Sequence, residues 1–200
     1  MNWMKKVAVA LVCLLPLGLQ AAKIDTLQVK SPSMNKSIEV VVVSPDVAAT
    51  KACPVIYLLH GYGGNACTWV GIKPDLPKIA DEKGIFFVCP DGKNTWYWDS
   101  PLNADVRYET FISNELVKYV DSHYKTVADR KGRAITGLSM GGHGAMWNGL
   151  RHSDVFSAAG STSGGVDIRP FPKNWEMSVQ IGEKAKYPEN WEKYTVINLV

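Results

Sequence analysis

The chain has 200 residues, 46% hydrophobic and 20% charged, with a formal net charge of +3. That length fits one domain with a sizeable core, and no low-complexity tract or internal repeat interrupts it. Lys and Arg are scattered rather than gathered into a stripe, so nucleic acid is excluded as an expected partner.

The first segment reads as a leader. "MNWMKK" is basic, "VAVALVCLLPLGL" is 13 largely apolar residues, and "QAAK" offers small residues for cleavage. This is the tripartite layout of a secretory signal peptide, with cleavage after Ala21 or Ala22. Spanning a bilayer takes roughly 20 apolar residues, so no stable membrane anchor is expected. Residues 1–22 are therefore assigned to the signal, residues 23–200 to the domain, and the destination is the periplasm or the exterior. Loss of Lys5 and Lys6 brings the net charge from +3 to +1. Cys53, Cys67 and Cys89 remain, an odd number without C-x-x-C spacing, so at least one thiol stays unpaired.

From Lys23 the pattern is strands first. "IDTLQVKS" and "KSIEVVVVSP" are rich in β-branched residues and separated by the turn-like "PSMN". "PVIYLLHGYGG" is a strand ending in glycines, "DLPKIADEKG" a short helix closed by Gly84, and "IFFVCPDG" a buried-type strand with a Pro-Asp-Gly stop. Residues 107–124 place Tyr108, Phe111, Ile112, Leu116, Tyr119 and Val120 at helical spacing, which predicts one amphipathic helix. "RAITGLS" is a strand, "MGGHGAMWNGLRH" a helix, and "VFSAAGSTSGG" a strand running into a glycine loop. After Gly165 the pattern weakens to loop with one short helix, a lid or a flank. Alternating strands and helices define an α/β chain with a mostly parallel sheet, the two N-terminal strands forming an antiparallel edge.

Ligands of such sheets bind beyond the carboxyl ends of the strands, where "HGYGG", "PDGKNTWYWDSP" and Ser139 all fall. "GLSMG" (137–141) matches G-x-S-x-G, which holds a serine on a strained strand-to-helix turn. The alternative is a polar residue in a glycine turn, but a second glycine loop after an earlier strand argues for the nucleophile. The backbone N–H groups of Met140, at a helix N-terminus, and of Tyr62 are the candidate oxyanion donors. Trp96, Tyr97 and Trp98 are candidate substrate contacts, since indole faces stack on sugars or aromatic acyl groups; the competing assignment is core. No metal-ligand spacing, phosphate loop or dinucleotide loop occurs, so neither metal nor other cofactor is expected.

In this order, "LLHGYGGN", "PDG…WYWDSP", "YETFISNELVKYVDSHY" and "RAITGLSMGGHGA" resemble the esterase family of α/β-hydrolases. That family includes S-formylglutathione hydrolases, feruloyl and acetyl esterase domains, and mycolyltransferases. The resemblance covers roughly residues 30–165 and implies acyl-ester hydrolysis through an acyl-enzyme on Ser139. It also implies an Asp and then a His after the serine. Neither is found in matching context: His143 reads as structural, His152 lies at the far end of the same helix, and His60 and His123 precede the serine. The expectation is an α/β-hydrolase domain lacking its last strands, with an exposed sheet edge. Three functions follow: an exported serine carboxylesterase acting on acyl esters of a carbohydrate or small alcohol, an acyltransferase of the mycolyltransferase type, or a catalytically inactive remnant. Oligomeric state is left open.

Overall fold

The computed structural model describes residues 22–200; of the leader assigned to residues 1–22, all but the last residue lies outside the described residues. Strands β1 (Lys23–Ser31) and β2 (Lys36–Ser44) form an antiparallel hairpin, turning at 32–35 with Asn35 at a positive φ of 49°. In β1, at the sheet edge, exposed and covered side chains roughly alternate. In β2 the run Val40–Val41–Val42–Val43 is buried on both faces. A continuous β-branched run is what an inner strand covered on both sides requires.

Strands β3 (Val55–Leu59), β4 (Phe86–Pro90), β5 (Arg133–Gly137) and β6 (Ala158–Ala159) complete the sheet, in the order β1-β2-β4-β3-β5-β6. β4 runs antiparallel to β2, and β3, β4, β5 and β6 are mutually parallel. The expected mixed sheet with an antiparallel N-terminal edge is therefore the observed one. β6 has two residues, and both are exposed; the longer strand expected over 155–165 shrinks to this pair plus a bridge between Leu138 and Thr162.

Helices α1 (Thr68–Ile72) and α2 (Leu76–Lys83) lie on one face, where Leu76 and Ala80 pack with Val41, Val43, Leu58, Phe87 and Cys89. Gly84, at φ 62°, ends α2 in the left-handed conformation that favours glycine. The other face carries α3 (Tyr108–Thr110), α4 (Leu116–His123) and α5 (Met140–Arg151). The single helix expected over 107–124 is interrupted: Phe111–Glu115 form a π-helical turn between α3 and α4. The wider turn keeps Tyr108, Glu109, Phe111, Ile112 and Leu116 all inward, and Ser113 Oγ donates to the Glu109 carbonyl at 2.7 Å.

The segment after Gly165 departs furthest from expectation. It forms two short helices, α6 (Met177–Ile181) and α7 (Pro188–Lys193), and a 3₁₀ turn at Val196–Leu199. Met177, Ile181, Trp191, Tyr194 and Val196 are buried in the same core as Trp98 and Trp147, so this part is interior structure rather than a flank. Trp147 stacks on Tyr194 with centroids 5.0 Å apart. Cys53 and Cys89 are buried, Cys67 is exposed, and all three thiols are free. No helix among the described residues is long and apolar enough to cross a membrane.

Candidate active site

Strand β5 ends at Gly137 and helix α5 starts at Met140, so the chain reverses over two residues. The sheet still holds both: Leu138 N–H donates to the Leu59 carbonyl at 3.1 Å and Ser139 N–H to that of Thr162 at 2.8 Å. The helix holds them from the other side, through Gly141 N–H on the Leu138 carbonyl (2.8 Å) and His143 N–H on that of Ser139 (3.0 Å). Ser139 is thereby kept at φ 54°, ψ −115°, and exposed. A non-glycine residue there stores about 1–3 kcal/mol of strain and persists only where its surroundings over-determine it. The flanking glycines make the turn possible by close approach. A Cβ on Gly137 would overlap the Gly141 carbonyl, and one on Gly141 would overlap the Leu59 carbonyl.

The loop after β3 meets the serine directly. Gly64 N–H donates to the Gly61 carbonyl at 3.0 Å, closing a turn with Gly63 at φ 76°. A Cβ added to Gly61 would sit 3.5 Å from Ser139 Cβ. Among the described residues the N–H groups of Tyr62 and Met140 have no protein acceptor. Both residues border a cavity of about 290 Å³ together with Ser139, Trp96, Ile168 and Trp175. The cavity thus joins the serine, two free backbone donors and apolar walls.

Of the three aromatic residues expected at the substrate, only Trp96 borders this cavity. Tyr97 and Trp98 are fully buried and belong to the core. Trp96 and Tyr97 both have positive φ (59° and 60°), and this corner turns the Tyr97 and Trp98 side chains into the interior. There the Tyr97 hydroxyl donates to the His60 carbonyl at 3.1 Å, and Trp98 Nε1 donates to His143 Nε2 at 2.9 Å. The cavity wall includes Ile168, Phe171 and Trp175, which the sequence reading did not single out. Their only signal was apolar residues within the proline-rich "IRPFPKNW".

All four imidazoles are engaged elsewhere. His143 is fully buried; its Nδ1–H donates to the Gly165 carbonyl at 2.7 Å while Nε2 accepts from Trp98. Burial lowers its pKa to about 4, partly opposed by the Gly165 hydrogen bond, so the ring is neutral with both nitrogens occupied. His60 Nδ1–H donates to the Gly61 carbonyl at 2.7 Å, and its Nε2 accepts from Gly92 N–H at 2.9 Å. His152 Nε2 lies 2.8 Å from Glu109, and His123 bonds the Tyr119 carbonyl at 2.8 Å. Asp167, at the cavity, is held in a two-pronged pair with Arg169 at 2.8 and 2.9 Å. Among the described residues no imidazole is left for the Ser139 proton.

A serine on a strained strand-to-helix turn, at the carboxyl edge of a mostly parallel sheet and faced by a glycine loop, defines an α/β-hydrolase fold. The chain belongs to the family described as "Putative esterase", whose model matches residues 31–198. It is similar to an esterase of Mycobacterium tuberculosis, 28% identical over 149 residues, or 71% of this chain and 32% of that protein. An acetyl esterase of Caldicellulosiruptor saccharolyticus is 32% identical over 102 residues, 50% of this chain and 37% of that one. A solved ferulic acid esterase superposes with TM-score 0.70 at 29% identity, covering 87% of this chain and 71% of that structure. The chain spans about a third of the length of the two curated relatives.

Proposed function

We propose that the chain carries the nucleophile and oxyanion hole of an exported serine carboxylesterase acting on acyl esters of a carbohydrate or small alcohol. The observation that carries this reading is Ser139, strained and exposed, opening into the cavity that Tyr62 and Met140 also border. Ser139 Oγ attacks the ester carbonyl carbon, and the tetrahedral oxyanion is received by the N–H groups of Tyr62 and Met140. Collapse expels the alcohol, which takes up a proton, and leaves the acyl group on Ser139. Water then adds to the acyl carbon and releases the acid and the free serine. One oxyanion donor is typically worth ~10²–10³ in rate. The names of the relatives, acetyl and ferulic acid esterase, support a carboxylic ester as substrate. The apolar, aromatic wall formed by Trp96, Phe171 and Trp175 supports a partner with a flat or apolar face. Export rests on the basic-apolar-small layout of residues 1–22.

A second, non-catalytic reading is favoured by one observation: each imidazole is already bonded elsewhere. In this arrangement the Oγ proton passes to solvent water, so turnover is slow. Hydrolases retaining only the oxyanion hole and binding keep roughly 10³–10⁴-fold acceleration over water. Hydrolysis of p-nitrophenyl acetate by the chain beside its Ser139→Ala variant separates the readings. Esterase chemistry through Ser139 requires turnover above that of Ser139→Ala, which keeps only the oxyanion hole and binding. Equal rates leave the non-catalytic reading. Product analysis with a competing alcohol acceptor distinguishes hydrolysis from acyl transfer.

A further inference from the structure

We propose that Asn94 and Glu176 are positioning residues that lock the turn presenting the Tyr62 N–H; this rests on the reading of that N–H as an oxyanion donor. The turn runs from Gly61 to Gly64 with Tyr62 and Gly63 at its corners. The peptide between two such corners has two orientations of similar energy, and the positive φ of Gly63 (76°) corresponds to one of them. Nothing within the turn itself prevents the flip. Asn94 does: its Oδ1 accepts the Gly63 N–H at 2.9 Å, a bond that the flipped peptide cannot make. An asparagine amide offers a donor or an acceptor depending on which way it faces. Asn94 is fixed acceptor-inward because its Nδ2 donates to Glu176 Oε2 at 3.3 Å. Desolvation and the same Glu176 carboxylate raise the pKa of the Tyr62 hydroxyl, so Glu176 acts on the turn residue Tyr62 as well as on Asn94.

The segments that bring Asn94 and Glu176 together are themselves clasped. Trp96 Nε1 donates to the Trp175 carbonyl at 3.1 Å, and the indoles of Trp96 and Trp175 lie 6.5 Å apart. Lys93, Trp96, Trp175 and Glu176 all have positive φ, from 49° to 59°. Four strained residues around one contact persist only where the contact holds them. The clasp thus ties two stretches, distant in sequence, to the loop opposite Ser139.

The test uses the full chain with Asn94→Ala, Asn94→Asp and Glu176→Ala. Amide hydrogen exchange at Gly63 is followed together with kcat and KM for p-nitrophenyl acetate, and thermal melts confirm that each variant folds. Asn94→Ala is expected to speed Gly63 exchange about tenfold, the value of one ordinary hydrogen bond, and to lower kcat by a smaller factor with KM little changed, because the Tyr62 N–H lies in the preceding peptide and shifts only with the turn. Asn94→Asp keeps the acceptor but sets a carboxylate against Glu176, so it restores Gly63 protection in part, and fully when combined with Glu176→Gln. Glu176→Ala frees the Asn94 amide to rotate and gives a smaller rise of about threefold. Unchanged Gly63 exchange in Asn94→Ala, or Asn94→Asp exchanging like Asn94→Ala, overturns the proposal. A kcat that holds while exchange rises also overturns the positioning role. If the parent chain shows no Ser139-dependent turnover, the esterase reading fails, and Gly63 exchange alone decides whether the lock exists.

Discussion

The start of α5 leaves a serine hydroxyl and a backbone N–H open, whereas three side chains at its other end converge on one carboxylate. At the N-terminal end Ser139 is exposed at positive φ, and the Met140 N–H has no acceptor among the described residues. Bare glycine backbone at 141 and 142 lies against the end of β3 and the 161–164 loop. At the other end, Trp147 Nε1, Arg151 Nε and His152 Nε2 converge on the buried carboxylate of Glu109, each at 2.8 Å. The Arg151 guanidinium also covers the Trp147 ring at 4.6 Å. Strain and free donors at one end of a helix need a fixed frame, and the satisfied end supplies it. His143 marks the border, one turn from Ser139 but wholly interior.

The largest expected effect comes from breaking the close approach at the open end. Gly141→Ala drives a methyl group into the Leu59 carbonyl, which is backbone and cannot rotate away. Overpacking of that kind costs about 3 kcal/mol or more, measured by urea denaturation. Gly71→Ala in α1 is the control: a Cβ there meets nothing within 4 Å, so it is expected to stabilise by about 0.5–1 kcal/mol, the ordinary helix preference for Ala over Gly.

The border residue gives a pH signature. The folded His143 pKa is about 4, below its ordinary 6.5, so between those values the unfolded chain binds more protons than the folded one. Stability therefore rises with pH across that window and is lost on acidification from 6.5 to 4, by about 3 kcal/mol for a shift of this size. The pH dependence of the urea midpoint measures it, and His143→Gln, although less stable overall, is expected to flatten the slope there. The Glu109 carboxyl acts lower on the scale. Burial raises its pKa, but hydrogen bonds from His152, Arg151 and Trp147 outweigh this and hold it below 4.5. Its contribution is complete above 4.5 and fades as pH falls through the lowered value.

Parts of this arrangement were legible in the sequence for identifiable reasons. Val40–Val43 and Phe86–Cys89 are apolar runs of strand length, and only covered strands tolerate them. The serine elbow and the 61–64 turn could be read because their glycines answer to backbone geometry rather than to packing. The π turn at Phe111–Glu115 was not legible, because one extra residue leaves the spacing of apolar positions nearly helical. Nor was the interior placement of Tyr97 and Trp98. It depends on positive φ at Trp96 and Tyr97, for which tryptophan and tyrosine give no signal. Trp191 and Tyr194 stand among charged residues in "ENWEKY", and their burial is decided by Trp98 and Trp147, far away in the chain.

The smallest expected effects probe the closed end. Glu109→Ala removes the acceptor of three groups but strands only one in the interior, the Trp147 N–H, because Arg151 and His152 reach solvent. An unsatisfied buried donor costs about 1–3 kcal/mol, and a loss near 2 kcal/mol is expected. Arg151→Ala loses a half-exposed ion pair and a stacked guanidinium, together worth about 1 kcal/mol or less after solvent screening. The two losses share one hydrogen bond, so the double variant should fall short of their sum by about 0.5 kcal/mol. Thermal melts of the four proteins complete the cycle. Strict additivity would mean that Arg151 contributes through Trp147 alone, and that the carboxylate holds α5 by its indole contact rather than by charge.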